Sequence, residues 1–339
     1  MDTTETHTDV LVIGAGLAGL MAAVQLHLQG KRVTVLEKNS IVGGRTATLA
    51  IGGGLADEGA QFFTARSKEF KALVDQWLHD RLVFLWSYGW ASGSLAPVSA
   101  EGDGHPRYAA HNGMNAIARH YSQQLKDVRL NVTVASIQHD GKNWHVRDAS
   151  GHEYTAPALI LTPPVPQSLT LLDAGQVTLN PEDRAALEKI QYTPSLTGIF
   201  VLEKHILLPA PGAIQQPDAR ISWIANNRQK GISNATVITA QANGEFSEQM
   251  YEASDERILA LMHDEMRYVL PSGVREARLI RWRYSQPKST YPEAYLVAKD
   301  LPGLVFAGDA FGGPRIEGAV LSGMTAAQVL AGNQNAGEN

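Results

Sequence analysis

The feature that most constrains this chain is a glycine triad set between a strand and a helix. VLVI, Val10 to Ile13, is a short apolar run, and Gly14-Ala15-Gly16-Leu17-Ala18-Gly19 follows at once. LAGLMAAVQLHLQ, Leu17 to Gln29, then carries apolar residues at helical spacing and stops at Gly30, and RVTVLEK reads as a second strand, Arg32 to Glu37. A right-handed crossover makes the two strands parallel neighbours, with the helix on one face of the sheet. In that setting G-x-G-x-x-G brings a pyrophosphate to a helix N-terminus. Gly14 permits the tight turn, Gly16 lets the anion approach backbone beside Ala15, and Gly19 lets the helix pack on the strand. Glu37 falls where a carboxylate accepts hydrogen bonds from a ribose 2′-hydroxyl, and it would repel a 2′-phosphate.

The rest of the sequence narrows the class. At 339 residues the chain is long enough for about two domains of ~150 residues, and 44% hydrophobic with 19% charged residues is the balance of a folded protein. A net charge of −5 gives no global attraction for nucleic acid or anionic membranes. With no cysteine there are no disulfides, thiolate metal sites, cysteine nucleophiles or thioether links to a cofactor. MDTTETHTDV lacks a basic flank and an apolar stretch, and no run of ~18 apolar residues occurs, so the expected location is cytoplasmic, off the membrane. Eleven histidines show no ligand spacing, since His152-Glu153-Tyr154-Thr155-Ala156 misses H-E-x-x-H at its last position; no metal is expected. No G-x-S-x-G occurs, and Ser322 lies inside a predicted helix.

Further along, NVTVASIQHD, KNWHVRDAS and HEYTAPALILTPP alternate with period two between turns at Asp140-Gly141 and Ser150-Gly151. They predict three antiparallel strands, with the apolar ALIL end returning into the main sheet. Asn234 to Asn243 reads as a strand and Asp255 to Leu270 as an amphipathic helix; Gly303 to Asp309 is a strand and Glu317 to Gly332 a helix. The expected fold is α/β: a discontinuous Rossmann-like domain over residues 1–66, 105–165 and 293–335, and a mixed β-sheet with helices forming a substrate domain over 67–104 and 166–292.

Two segments distinguish a flavin from a nicotinamide cofactor. Val42-Gly43-Gly44-Arg45-Thr46 is a second glycine turn, whose backbone donors and Arg45 guanidinium suit the same pyrophosphate. FAGDAFGGPRIEGAVLSGMTAA places Asp309 at a strand end for a ribityl hydroxyl, and Gly318-Ala319 at a helix N-terminus facing charge on a reduced isoalloxazine.

VIGAGLAGL, Glu37, VGGRT, DEGAQFF (Asp57 to Phe63) and FAGD with EGAVLSG together resemble the flavin amine oxidase superfamily, which includes monoamine oxidases, phytoene desaturases, protoporphyrinogen oxidases and renalases. The specific motifs lie at the two ends of the chain. The resemblance implies non-covalent FAD held by Gly14, Ala15, Gly16, Gly19, Glu37, Lys38, Gly44, Arg45, Ala60, Gln61, Phe62, Asp309 and Ile316. It adds Val134, by the family's V-x-x-I strand against the adenine.

Departures sort the members. Amine oxidases carry an aromatic-cage tyrosine two positions before the E-G-A glutamate; here that position is Arg315, which repels an ammonium. The length is close to the renalases, and RWRYSQP, ISWIANNRQ and VITAQA are similar to renalase segments. The resemblance therefore implies oxidation of 2- or 6-dihydro-NAD(P) to NAD(P)+, with hydride passing to flavin N5 and O2 yielding hydrogen peroxide. Asn226, Thr239 and Gln286 are the expected substrate-orienting residues, and Arg228, Lys230 and Lys288 are weighed as partners of a substrate pyrophosphate against the favoured reading of solvated surface cations. No acid–base residue is expected, because a dihydropyridine surrenders only a hydride. The alternatives are an amine oxidase or desaturase-type oxidase on the same fold, and a non-enzymatic module like the GDP-dissociation inhibitors. The aromatic stretch Phe62, Phe63, Phe84, Trp86, Tyr88 and Trp90 reads either as a roof over the flavin or as packing between domains.

Overall fold

The computed structural model describes residues 8–92, 104–270 and 273–335. The chain forms two compact units, Met1–Gly44 with Ala118–Gln191 and Pro287–Asn339, and Arg45–Ile117 with Tyr192–Gln286.

The first unit is built on a six-stranded sheet in the order Leu296–Val297, Leu304–Phe306, Ala158–Leu161, Val10–Ile13, Val33–Leu36, Val128–Arg129. Five strands are parallel and only the Leu296–Val297 edge is antiparallel. Val10–Ile13 lies at the centre with all four residues buried, as an apolar run without alternation requires when both faces are covered. The first helix, Leu17–Leu28, packs on the C-terminal helix, Ile316–Asn335, and a Cβ on Gly323 would stand 2.1 Å from the Ala18 carbonyl oxygen. The expected three-stranded antiparallel sheet forms from Val134–His139, Trp144–Asp148 and Glu153–Ala156, and ALIL returns beside Val10–Ile13.

The second unit carries a six-stranded sheet in the order Val274–Pro287, Tyr192–Leu202, Val237–Ala242, Ile221–Asn226, Ala213–Gln215, Ala91–Ser92. One face packs on the helices Gly244–Met250 and Asp255–Glu265 through Leu196, Phe200, Ile238, Phe246, Ile258 and Met262. The other face meets the hairpin of Thr48–Ile51 and Gly54–Asp57, with Ile51 and Ala56 set against Ile199, Val201 and Val237. The predicted Asp255 to Leu270 helix ends at Glu265, and the next four residues, 266–269, only turn.

Four stretches fall on the other side of the division from the expected borders: 45–66, 105–117, 166–191 and 287–292. Residues 45–66 belong to the second unit because the hairpin buries its apolar side on that unit's sheet. Residues 166–191 belong to the first, because the Val165–Ala174 helix lies on the Val134–His139 strand and Gly175 comes close enough that a Cβ would stand 1.7 Å from the Ile137 carbonyl oxygen.

Candidate functional site

In the first unit Gly14 and Gly19 take the tight turn and the close helix packing that their spacing predicts. Gly14 has φ +96°, which glycine alone adopts without strain, and a Cβ on Gly19 would stand 2.0 Å from the Gly14 carbonyl oxygen. A Cβ on Gly16 would meet nothing within 4 Å, so this glycine keeps open space above the helix start. Gly16 is also the helix N-cap and supplies no side-chain cap, which leaves the first-turn N–H groups to an anion. The second glycine turn docks on the first: Gly43 N donates to Ala15 O at 2.8 Å, and Gly44 has φ +53°.

Glu37 is 5% exposed and its carboxylate is partly engaged by the protein, with Oε2 accepting from Ala15 N at 2.8 Å and Oε1 accepting from Asn39 N at 2.9 Å and Asn39 Nδ2 at 2.8 Å. A carboxylate offers about four lone-pair sites, so Oε2 retains one for a hydroxyl. Lys38 beside it is exposed, and Val134 is half-buried at the start of its strand. Asp309 is half-buried just past Leu304–Phe306. The turn before it is fixed by a residue whose part was not legible in sequence: buried Ser322 accepts from Gly308 N at 2.8 Å. Ile316 opens the C-terminal helix, but the Ala319 N–H donates to Arg315 O at 2.9 Å and is turned into the helix, not toward a ligand.

In the second unit, Asp57 to Phe62 runs as a strap held from all sides. Asp57 accepts from Thr48 Oγ1 at 2.6 Å and Met114 N at 2.7 Å, Trp282 Nε1 donates to Glu58 O at 3.0 Å, Gln241 Nε2 to Gly59 O at 2.6 Å, and Ala60 N to Arg45 O at 2.8 Å. Gln61 Nε2 donates to Asp57 O at 2.7 Å, while its buried Oε1 has no partner. Arg45 is half-buried and donates to the carbonyls of Tyr284 at 3.4 Å and Ser285 at 3.1 Å. Burial pushes the half-buried Glu58 carboxyl above its ordinary range, with the Arg278 charge opposing and the Asp57 charge reinforcing the shift.

Two of the three expected substrate residues have a different task. Asn226 is 1% exposed: its Nδ2 donates to Ile206 O at 3.0 Å and Gln229 Oε1 at 3.1 Å, and its Oδ1 accepts from Arg228 N at 3.0 Å and Gln229 N at 3.3 Å. Thr239 is fully buried, donating to Asp57 O at 3.0 Å and accepting from Asn227 Nδ2 at 2.8 Å. Both shape the strap and the turn after Ile221–Asn226, and the protein itself engages their polar groups. Gln286 stands apart from them, exposed near the end of Val274–Pro287.

The aromatic stretch packs inside the second unit. Phe62, Trp86, Trp90 and Trp223 form one cluster with ring centroids 4.6–6.2 Å apart, and Phe63 joins Phe70, Trp77 and Tyr108 in another. Lys230, weighed as a pyrophosphate partner, has a fully buried side chain: Nζ lies 2.6 Å from Asp57 Oδ2, 2.5 Å from Gln61 O and 4.7 Å from the Trp86 ring centroid. Burial pushes its ammonium below the ordinary lysine range against the pull of Asp57. Arg228 and Lys288 are exposed.

A parallel sheet with the glycine fingerprint at its central strand, joined to a second unit of mixed sheet and helices, defines a dinucleotide-binding α/β protein. The model of the NAD(P)-binding Rossmann-like domain matches residues 12–77, and that of flavin containing amine oxidoreductase matches residues 91–331. The chain belongs to the flavin containing amine oxidoreductase family. It is 44% identical over 73 residues to putrescine oxidase of Kocuria rosea, covering 22% of this chain and 15% of that one. It is 37% identical over 100 residues to phytoene dehydrogenase of Streptomyces griseus, covering 27% and 20%. The aligned segments thus span a fifth or less of these relatives. The fold is similar to a structure described as a protoporphyrinogen oxidase from Exiguobacterium sp. 255-15, with a TM-score of 0.72 at 14% identity over 97% of this chain and 99% of that one. It is also similar to putrescine oxidase bound to putrescine, with a TM-score of 0.70 at 17% identity over 96% and 99%.

The family is flavin containing, and the cofactor is FAD. The residues fit it: Gly16 keeps a cradle open that any Cβ would narrow, the helix behind it starts uncapped, and Gln61 Oε1 is a buried acceptor without a protein partner. With no cysteine in the chain, the flavin is held without a thioether. No helix among the described residues is long and apolar enough to cross a membrane.

Proposed function

We propose that this protein oxidises isomeric dihydronicotinamide dinucleotides, the 2- or 6-dihydro forms of NAD(P), to NAD(P)+. Bound FAD supplies a hydride acceptor at N5 and returns the electrons to O2, so that one dihydronicotinamide, one O2 and one proton give NAD(P)+ and hydrogen peroxide. The observation that carries the reading is Arg315, exposed immediately before the C-terminal helix, at the position where the amine oxidases it resembles place a cage tyrosine. A guanidinium there repels an ammonium and favours an anionic dinucleotide.

The chain's own residues then have defined tasks. Gly14, Ala15, Gly16 and Gly44 line the cofactor pyrophosphate while Gly19 lets the helix close on their turn, and Glu37 takes a ribose hydroxyl on Oε2, with Lys38 and Val134 beside the adenosine half. Asp309 and Ile316 serve the ribityl and flavin half, and the resemblance alone carries over Arg45, Ala60, Gln61 and Phe62 as cofactor residues. Gln286 remains the candidate for orienting the nicotinamide carboxamide, since a side-chain amide offers both the donor and the acceptor such a group needs. Hydride loss leaves an aromatic cation with no proton to surrender, so positioning replaces acid–base catalysis.

A second reading, a flavin amine oxidase or desaturase-type oxidase, is favoured by the names of the matched relatives. Aerobic incubation with 2-, 4- and 6-dihydro-NAD and with putrescine separates the two. The proposal expects peroxide and NAD+ in equal amounts from the 2- or 6-isomer. Peroxide from putrescine alone would overturn it.

A further inference from the structure

Lys230 and Asp57 are 173 residues apart in sequence, yet their side chains meet at 2.6 Å with neither exposed. The pair is more than a neutralised charge. The same ammonium donates at 2.5 Å to the Gln61 carbonyl oxygen and lies 4.7 Å from the centroid of Trp86, whose Nε1 is fixed on Pro211 O at 3.2 Å. The Lys230 backbone N–H donates to Asn226 O at 2.9 Å, on the turn that Asn226 caps. One ammonium therefore ties the end of the Gly54–Asp57 strand, the strap at Gln61 and the aromatic cluster containing Phe62 to a rigid turn.

We propose that Lys230 is a positioning residue for the cofactor-binding segment Ala60–Phe62, acting through the Gln61 carbonyl and the Trp86 ring, separately from its role as the countercharge of Asp57. A lysine suits this place because its three donors radiate from one point, whereas the Arg guanidinium is a planar fork. Burying it costs solvation that is offset only while all its partners are present. Gln61 Nε2 is already spent on Asp57 O and Gly59 O, so Gln61 Oε1 depends on the strap for its direction. The inference rests on FAD as the cofactor and is independent of which substrate is oxidised.

The two roles respond differently to a second substitution. Lys230→Met leaves Asp57 as an unpaired buried carboxylate and also removes the Gln61 anchor. Adding Asp57→Asn removes the stranded charge while keeping an oxygen for Thr48 Oγ1 and Met114 N, but it cannot restore the anchor. The experiment compares wild type, Lys230→Met and Lys230→Met/Asp57→Asn as purified holoproteins. It reads urea midpoints by tryptophan fluorescence and FAD release on dilution by flavin fluorescence. The double variant is expected to regain most of the lost stability while its FAD dissociation constant stays on the order of tenfold or more above wild type, with a less structured flavin absorbance band. FAD affinity that recovers in step with stability would overturn the proposal, as would wild-type FAD affinity in Lys230→Met. If Lys230→Met does not fold, the double variant alone decides: weak FAD binding supports the anchor, wild-type binding refutes it.

Discussion

Replacing Asn226 by Ala separates a structural amide from a substrate-binding one, and the geometry sets the size of the effect. The substitution deletes hydrogen bonds to Ile206 O, Gln229 Oε1, Arg228 N and Gln229 N at a site 1% exposed. Gln229 Oε1 keeps its bond from Leu208 N at 2.7 Å, so three backbone groups are left without their partner. At about 1 kcal/mol net for each group, the loss is about 3 kcal/mol, or roughly a hundredfold in the folded-to-unfolded ratio. With a urea slope of about 1–3 kcal/mol per M, the midpoint falls by about 1–3 M. Tryptophan fluorescence is the suitable probe, because Trp77, Trp86, Trp90, Trp223 and Trp282 all lie in the second unit and only Trp144 in the first. The rate of flavin reduction per bound FAD should stay within about twofold of wild type, the effect expected where no transition-state contact is lost. An unchanged urea midpoint together with a tenfold slower reduction would refute the structural assignment and make Asn226 a ligand.

The glycine fingerprint gives a paired test: Gly16→Val should fold like wild type but lose the bound-flavin absorbance, whereas Gly19→Val should fail to fold, because its Cβ falls on the Gly14 carbonyl. Hydrogen bonds donated to Asp140 first, and then to Glu153, hold the His145 imidazolium and raise its pKa above the ordinary histidine range. Its stabilising contribution is therefore complete below the unfolded pKa and lost as pH rises through the folded one. His145→Ala should flatten that part of the stability–pH curve, and an unchanged slope would exclude the group. Glu58 is shifted the other way for a carboxyl, binding a proton more tightly when folded, so its ionisation costs stability above the folded pKa. Glu58→Gln should raise the urea midpoint at pH 7, and a lowered midpoint would show that the carboxylate has a partner.

What the sequence made legible was local. Gly14, Gly16, Gly19 and Glu37 sit at fixed spacing inside one strand–helix–strand unit, so periodicity and the motif alone located the turn and the acid. ALIL was readable as a sheet strand because a doubly covered strand loses its alternation. The misread positions depend on partners far along the chain. Thr239 is satisfied by Asp57 O, 182 residues away, and Lys230 by Asp57 and Gln61, so no nearby pattern distinguished a filled hydrogen-bonding group from an available one. The same holds for residues 45–66, whose place is set by Ile51 and Ala56 meeting Ile199, Val201 and Val237. Ser322 gave no signal because a serine inside an apolar helix is equally compatible with a back-bond to its own turn.

The most direct test of the proposed oxidation is anaerobic mixing of the holoprotein with 2-, 4- and 6-dihydro-NAD and with primary amines, following the loss of flavin absorbance. Rapid bleaching is expected from the 2- or 6-isomer, slow or no bleaching from the 4-isomer and from amines, and a rate nearly independent of pH where the protein is stable. Rapid bleaching by an amine alone, with a rate that tracks the loss of one proton, would contradict it.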